Sequence, residues 1–208
     1  LFLPHCQSLT GPGYEALWRF AERGGTAYYS FHIDPACPDF ESLFGCRHQL
    51  RYGLVEQPPA TVELRLIAPF GDWRPEDTLT FRPAGMPRRS SFCPVQPTTA
   101  KVLAVDQDGR PALLENRIGR GRIIFSSYPL EYYLWSTPNA HNVDRTYLLY
   151  RALRQRAGLV PPFDAHNPWV ELAWLEGTEG YLLWAINRSW QLQHVRDRKS
   201  TRLNSSHD

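Results

Sequence analysis

Three apolar runs in this chain of 208 residues end in side chains that can exchange protons or hold a polar ligand. "LFLP" runs into His5 and Gln7, "TAYYSF" into His32 and Asp34, and "RIIFSS" into Tyr128 and then Glu131. If the runs are neighbouring strands of an open α/β sheet, their carboxyl ends share one edge, and that edge is where such sheets gather ligands. Converging there, Glu131, His5, His32, Asp34 and Tyr128 would line a binding surface. Taken separately, Glu131 would only cap the next segment or pair with an arginine.

The remaining chemistry-bearing stretches are weaker. "GRGRIIF" has the glycines and arginines of a phosphate cradle or an RNA-binding patch. A phosphate loop needs a helix N-terminus straight after its glycines, however, and a β-branched strand follows here. The simplest reading is a hairpin in which Gly119 and Gly121 supply positive φ. His141 and Asp144 read as helix-start residues rather than metal ligands. Cys6, Cys37, Cys46 and Cys93 are widely scattered with no C-x-x-C pair, which argues against a zinc site and for reduced thiols in a cytoplasmic protein. Nothing in the motifs calls for a metal or a cofactor. Trp169, Trp174, Trp184 and Trp190 could form a platform for a sugar ring or fill the core of a β-domain.

Composition narrows the partners. Hydrophobic residues make up 42% and charged residues 21%, enough apolar material for a real core. The net charge of +2 resides in the last thirteen residues, with four basic and two acidic side chains, so the body of the chain is neutral. A neutral body lacks the electrostatic footprint of a nucleic-acid binder. No run is long and apolar enough for a membrane span. The chain starts at Leu1 inside a strand-like run, and "DRKSTRLNSSHD" is abruptly polar. Both ends are therefore expected to be cut, with 196–208 a non-native tail.

The elements that must hold these residues follow from periodicity. "LFLPHC" reads as a strand, and Thr10 and Pro12 open a helix with Tyr14, Leu17, Trp18 and Ala21 on one face. Gly24 and Gly25 end it, and "TAYYSFHI" is a second strand. This βαβ unit predicts a mostly parallel sheet. "DFESLFG" reads as a short helix, and "TVELRLIAPF" and "DTLTFRP" as strands. "KVLAVD", "PALLENRI" and "RIIFSSY" are three strands joined by tight turns. "YYLWS" shows no clear period and is expected to expose Tyr133 and Trp135 on a docking face. A helix runs from Asn142 or Asp144, capped by that side chain, to Gly158. "LVPPFDAHNP" marks a boundary, after which "WVELAWLEG" and "GYLLWAINRS" form a hairpin around Thr178 and Glu179.

With these motifs in place, "LFLPHCQSLT…YEALWRFAERGGTAYYSFH" resembles the start of the β-galactosidase trimerisation domain found in bacterial glycoside hydrolases related to glycoside hydrolase family 42. "LFGCRHQLRYGLVE", "RPALLENRIGRGRIIFSSYPLE" and "YLLWAINRS" fit the same picture. The resemblance covers roughly Leu1 to Val195. It implies a flavodoxin-like α/β domain of the class I glutamine amidotransferase-like type, three-layered, over 1–160, and the first strands of an incomplete C-terminal β-sandwich over 161–195. It also implies a non-catalytic accessory and oligomerisation role in carbohydrate breakdown, on a β-galactosidase or a cellulase- or mannanase-like enzyme. The partners implied are an upstream catalytic barrel of the same chain, further copies of the chain and a carbohydrate. Retaining glycosidases need two carboxylates about 5 Å apart. The family carries that pair on its barrel, so no catalytic residue is assigned here. Two other readings stay open: a stand-alone amidotransferase-like enzyme with Cys6 as nucleophile, and a carbohydrate-binding structural module. Against the first, Cys6 is flanked by His5 and Gln7 and lacks the glycines of a nucleophile elbow.

Overall fold

The computed structural model describes residues 1–4, 9–31, 39–49, 60–75, 77–82, 92–137, 140, 144–165, 167–188 and 196–197. The chain divides into two compact units, Leu1–Gly158 and Leu159–Asp208.

The first unit is built on a seven-stranded sheet. Its strands are β1 (Phe2–Leu3), β2 (Thr26–Ser30), β4 (Val62–Leu66), β5 (Thr78–Phe81), β7 (Lys101–Val105), β8 (Pro111–Ile118) and β9 (Gly121–Ser126), in the spatial order β1-β2-β9-β8-β7-β4-β5. A separate short ladder pairs β3 (Cys46–His48) with β6 (Val95–Pro97). β1, β2 and β9 run parallel, in the register Phe2↔Tyr28 and Tyr28↔Ile124. The expected mostly parallel sheet does not form. From β9 through β8, β7 and β4 to β5, every neighbour is antiparallel. Among β7, β8 and β9 the reason is loop length. The turns at Asp106–Arg110 and Gly119–Arg120 are far too short for a crossover, so β8 must reverse beside β7 and β9 beside β8.

The helices that cover the sheet are α1 (Gly11–Glu22), α2 (Phe40–Phe44), α3 (Leu130–Ser136) and α4 (Tyr147–Arg156). α1 starts with Pro12 in its first turn, where a missing N–H costs nothing. It buries Tyr14, Leu17 and Ala21 and ends before Gly24, at φ +107°. α4 begins after Thr146, whose side chain makes no capping bond, so the expected Asx cap is not what starts it. Asn142 lies outside the described residues, and Asp144 is buried ahead of the helix.

Alternation along the strands divides the apolar side chains between two clusters. Tyr28, Leu113 and Ile124 join Leu130 and Tyr133 of α3 and Leu149 and Leu153 of α4. Ala27, Tyr29, Leu114, Ile123 and Phe125 join Tyr14 and Leu17 of α1 and Phe40 and Phe44 of α2. Neighbouring residues on one strand therefore face different helix pairs, as the period of two requires.

The glycines of "GRGR" do two different jobs. Gly119 adopts φ +54° in the two-residue turn joining Ile118 to Gly121. Gly121 does not have positive φ. A Cβ there would overlap the carbonyl oxygens of Ala21 and Gly25, so its role is the close approach of α1 and the turn after it to β9.

In the second unit, β11 (Val170–Gly177) and β12 (Gly180–Asn187) form the expected hairpin around Thr178 and Glu179. β10 (Phe163–Asp164) pairs antiparallel with β13 (Arg196–Asp197), so the first two residues of the polar tail form a strand. Phe163 sets its ring edge-on against Trp174 and Tyr181, at centroid distances of 6.5 and 5.4 Å. No helix among the described residues is long and apolar enough to cross a membrane.

Candidate functional site

Glu131 stands in the first turn of α3, just beyond the carboxyl end of β9, and three hydroxyl groups converge on its carboxylate. Tyr28 donates to Oε1 at 2.9 Å, Tyr150 donates to the same oxygen at 3.0 Å, and the Ser30 hydroxyl donates to Oε2. Each donor arrives by a simple route. Tyr28 and Ser30 are two apart on β2, so the pleat puts both on one face. Tyr150 comes from α4, which packs on that same cluster. Phe2 of β1 stacks on the Tyr28 ring at 5.1 Å and meets the Tyr150 ring edge-on at 5.7 Å, closing the apolar side of the site.

Burial, then the charge of Glu131, pushes the Tyr28 phenol well above its ordinary value of 10.0. Burial and Glu131 push Tyr150 up in the same way. Both rings therefore remain neutral donors at any physiological pH. The site is one half-exposed carboxylate ringed by fixed hydroxyl donors. Such a group positions or accepts. Among the described residues no second carboxylate joins it as a pair for acid–base cleavage of a glycosidic bond.

Of the five residues expected on this edge, His5, His32 and Asp34 lie outside the described residues, as do Cys6 and His141. Tyr128 is buried, and its hydroxyl is committed elsewhere: it donates to Asp106 Oδ2 at 2.8 Å. Asp106 in turn accepts the backbone N–H groups of Asp108 and Arg110 on Oδ1, at 2.9 and 2.8 Å, fixing the β7–β8 turn. Burial and Asp106 raise the Tyr128 phenol as well. The ring stacks on Phe92 at 5.3 Å, which makes Tyr128 a core pin. Glu131 and Tyr128, three residues apart, serve different clusters of polar groups.

The segment expected to lack a period is the helix α3, and its aromatics part company. Tyr133 is buried and stacks on Phe81 at 5.6 Å, contrary to the expected exposure. Trp135 is 81% exposed, as a docking face would require. Tyr132 bridges the two, 6.3 Å from the Tyr133 ring and 5.8 Å from Trp135. Glu131 and Trp135 are four apart and so lie on one side of the helix.

The tryptophans of the second unit do not form one platform. Trp174 pairs with Leu183 and Trp184 with Ala173, adjacent rungs of one ladder, so the two indoles point to opposite faces. Trp190 lies outside the described residues.

No family model matches the chain, and no curated protein matches it. Solved structures do. The β-galactosidase from Bacillus circulans sp. alkalophilus superposes over 89% of this chain and 26% of its own, with TM-score 0.61 and 17% identity. Gan42B, a GH42 β-galactosidase from G. stearothermophilus, superposes over 91% of this chain and 26% of its own, with TM-score 0.60 and 14% identity. The cold-adapted β-galactosidase from Rahnella sp. R3 superposes over 95% and 28%, with TM-score 0.65 and 12% identity. The chain thus spans about a quarter of the length of the structures it matches. What it shares with that quarter is the fold: a mixed sheet with helices packed on it, followed by a β-hairpin.

Proposed function

We propose that this chain is a non-catalytic accessory and oligomerisation region of a glycoside hydrolase. In this reading residues 1–160 form the trimerisation-type, amidotransferase-like α/β domain and 161–195 the start of a C-terminal β-domain. The observation that carries it is the superposition of nine-tenths of the chain on a quarter of several β-galactosidases. Two further features support it. Helices α1 and α2 share one apolar cluster and α3 and α4 the other, as a flavodoxin-type layering demands. Trp135, exposed beside Glu131, gives the strand-end edge an apolar group suited to meeting a catalytic barrel or another copy of the chain. The free, buried thiols of Cys46 and Cys93 suit a reducing, cytoplasmic setting.

The test is to assay the purified chain on nitrophenyl β-galactoside and β-mannoside while measuring its mass in solution by sedimentation. The expected result is no turnover and a mass above that of a monomer. Turnover abolished by Glu131→Gln would overturn the non-catalytic assignment, and a strict monomer at high concentration would overturn the oligomerisation role.

A further inference from the structure

On the α1–α2 side of the sheet, away from the Glu131 cluster, these two helices enclose a cleft of about 320 Å³. Its floor is apolar and fixed by buried Tyr14 and Leu43, and half-buried Trp18 forms a wall. Its rim carries Glu15, Asp39 and Ser42. An apolar pocket with a few convergent polar groups is the usual form of a small-molecule site.

The polar groups are available. Among the described residues, nothing accepts from the Trp18 indole N–H and nothing donates to the Asp39 carboxylate. The Ser42 hydroxyl makes only a 3.4 Å contact with the Asp39 backbone carbonyl. Glu15 is engaged on one oxygen by Arg19 at 2.5 Å, which leaves the other open. The cleft therefore offers a donor on the indole, acceptors on two carboxylates and a hydroxyl that can do either.

We propose that this cleft is a subsite for a single neutral hexose unit. A pyranose ring has a C–H face that packs against an indole and a rim of hydroxyls that both donate and accept, which is the complement of this wall and rim. Charge narrows the class further. Arg19 offsets the charge of Glu15, so Asp39 alone leaves the rim with a small net negative charge, which disfavours phosphorylated and uronic sugars. The choice of a sugar among neutral polyols rests on the glycoside hydrolase reading above.

Binding of galactose and of mannose to the 208-residue chain, followed by saturation-transfer NMR and tryptophan fluorescence, tests the assignment. Saturable binding with a Kd on the order of 1–10 mM is expected, a weak single-ring affinity. Trp18→Ala should weaken it at least about tenfold and Asp39→Asn several-fold. Trp135→Ala should leave it unchanged. Asp39 and Ser42 are exposed, so Asp39→Asn and Ser42→Ala carry the test if Trp18→Ala fails to fold. The assignment falls if neither sugar saturates, if tetramethylammonium binds more tightly than either, or if binding is lost in Trp135→Ala instead of Trp18→Ala. These outcomes are independent of whether the chain hydrolyses a glycoside, so the cleft and the accessory role stand or fall separately.

Discussion

Tyr28 and Tyr150, from a strand and a helix distant in sequence, donate to one and the same oxygen of Glu131 at 2.9 and 3.0 Å. Their folded-state pKa values lie above the ordinary 10.0. The linkage sign follows: above pH 10 the unfolded chain loses protons that the folded chain keeps, so their contribution to stability is full below pH 10 and falls as pH rises beyond it. Burial also holds the Cys46 and Cys93 thiols above their ordinary 9.0, so the urea midpoint should begin to fall above about pH 9 and drop more steeply between pH 10 and 11. Each such phenol contributes up to about 1.4 kcal/mol per pH unit. Tyr150→Phe should flatten that drop by one phenol's share. An unaltered slope would show that Tyr150 titrates alike in both states.

Glu131→Gln should destabilise the first unit by about 1–3 kcal/mol, because a carboxamide presents an N–H₂ group where Tyr28, Tyr150 or Ser30 needs an acceptor. Urea denaturation of Glu131→Gln, Ser30→Ala and the double variant measures the coupling. Additive losses would mean that the Ser30 bond does not operate in solution.

Glu115 is 3% exposed and accepts two hydrogen bonds from Arg156, both at 2.7 Å. Burial works to raise its pKa, but those bonds and the charges of Arg156, Arg122 and Arg117 outweigh burial and hold the carboxyl below its ordinary value of 4.5. A depressed carboxyl stabilises fully above pH 4.5 and progressively less as pH falls through the folded value. Glu115→Gln should therefore remove part of the acid sensitivity. It should also cost about 2–3 kcal/mol at pH 7, less than a fully buried pair because Arg156 is partly exposed. Thermal melts at pH 3.5, 5 and 7 measure both effects.

Gly121→Ala should cost about 1–3 kcal/mol, since its methyl group meets the backbone of α1 and the Gly24–Gly25 turn, which cannot rotate away. Gly109→Ala meets no atom within 4 Å and should show only the smaller penalty of its φ of +79°. Equal losses in melting temperature would show that packing at Gly121 is looser than described.

Tyr133→Ala and Trp135→Ala separate core from surface within two residues of one helix. The first removes a buried ring and should cost about 3–5 kcal/mol. The second should change stability by no more than about 0.5 kcal/mol while lowering self-association in sedimentation. Unaltered association in Trp135→Ala would remove this edge from the interface.

How far the sequence foretold this structure depends on the range of each signal. The first βαβ unit, the hairpins at 106–110 and 119–120 and the β11–β12 hairpin were legible, because glycine turns and period-two alternation are local. The parallel sheet was over-extended from its first unit: the same short turns that marked β7, β8 and β9 already required them to be antiparallel. α3 escaped notice because seven residues with two inward side chains, Leu130 and Tyr133, give too little periodicity to read. Glu131 stood out, but its partners did not. Tyr28 and Ser30 could have been paired by their two-residue spacing. Tyr150 is placed only by the packing of α4. The α1–α2 cleft was not legible either, because Trp18 and Asp39 meet only once the two helices are set side by side.

The sheet order also bears on how the chain is made. β2 lies between β1 and β9, and Thr26 finds Arg122 only after nearly a hundred further positions have been synthesised. A chain emerging from the ribosome N-terminus first therefore shows a βαβ fragment whose inner edge, carrying Tyr28 and Tyr29, waits without its partner strand. Unpaired apolar edges recruit other chains. The hairpin of β8 and β9, by contrast, closes locally and supplies the missing edge as soon as it forms. Slowing translation ahead of residue 121 should thus lengthen the vulnerable interval, and the yield of soluble protein should track codon choice there more closely than codon choice after residue 130.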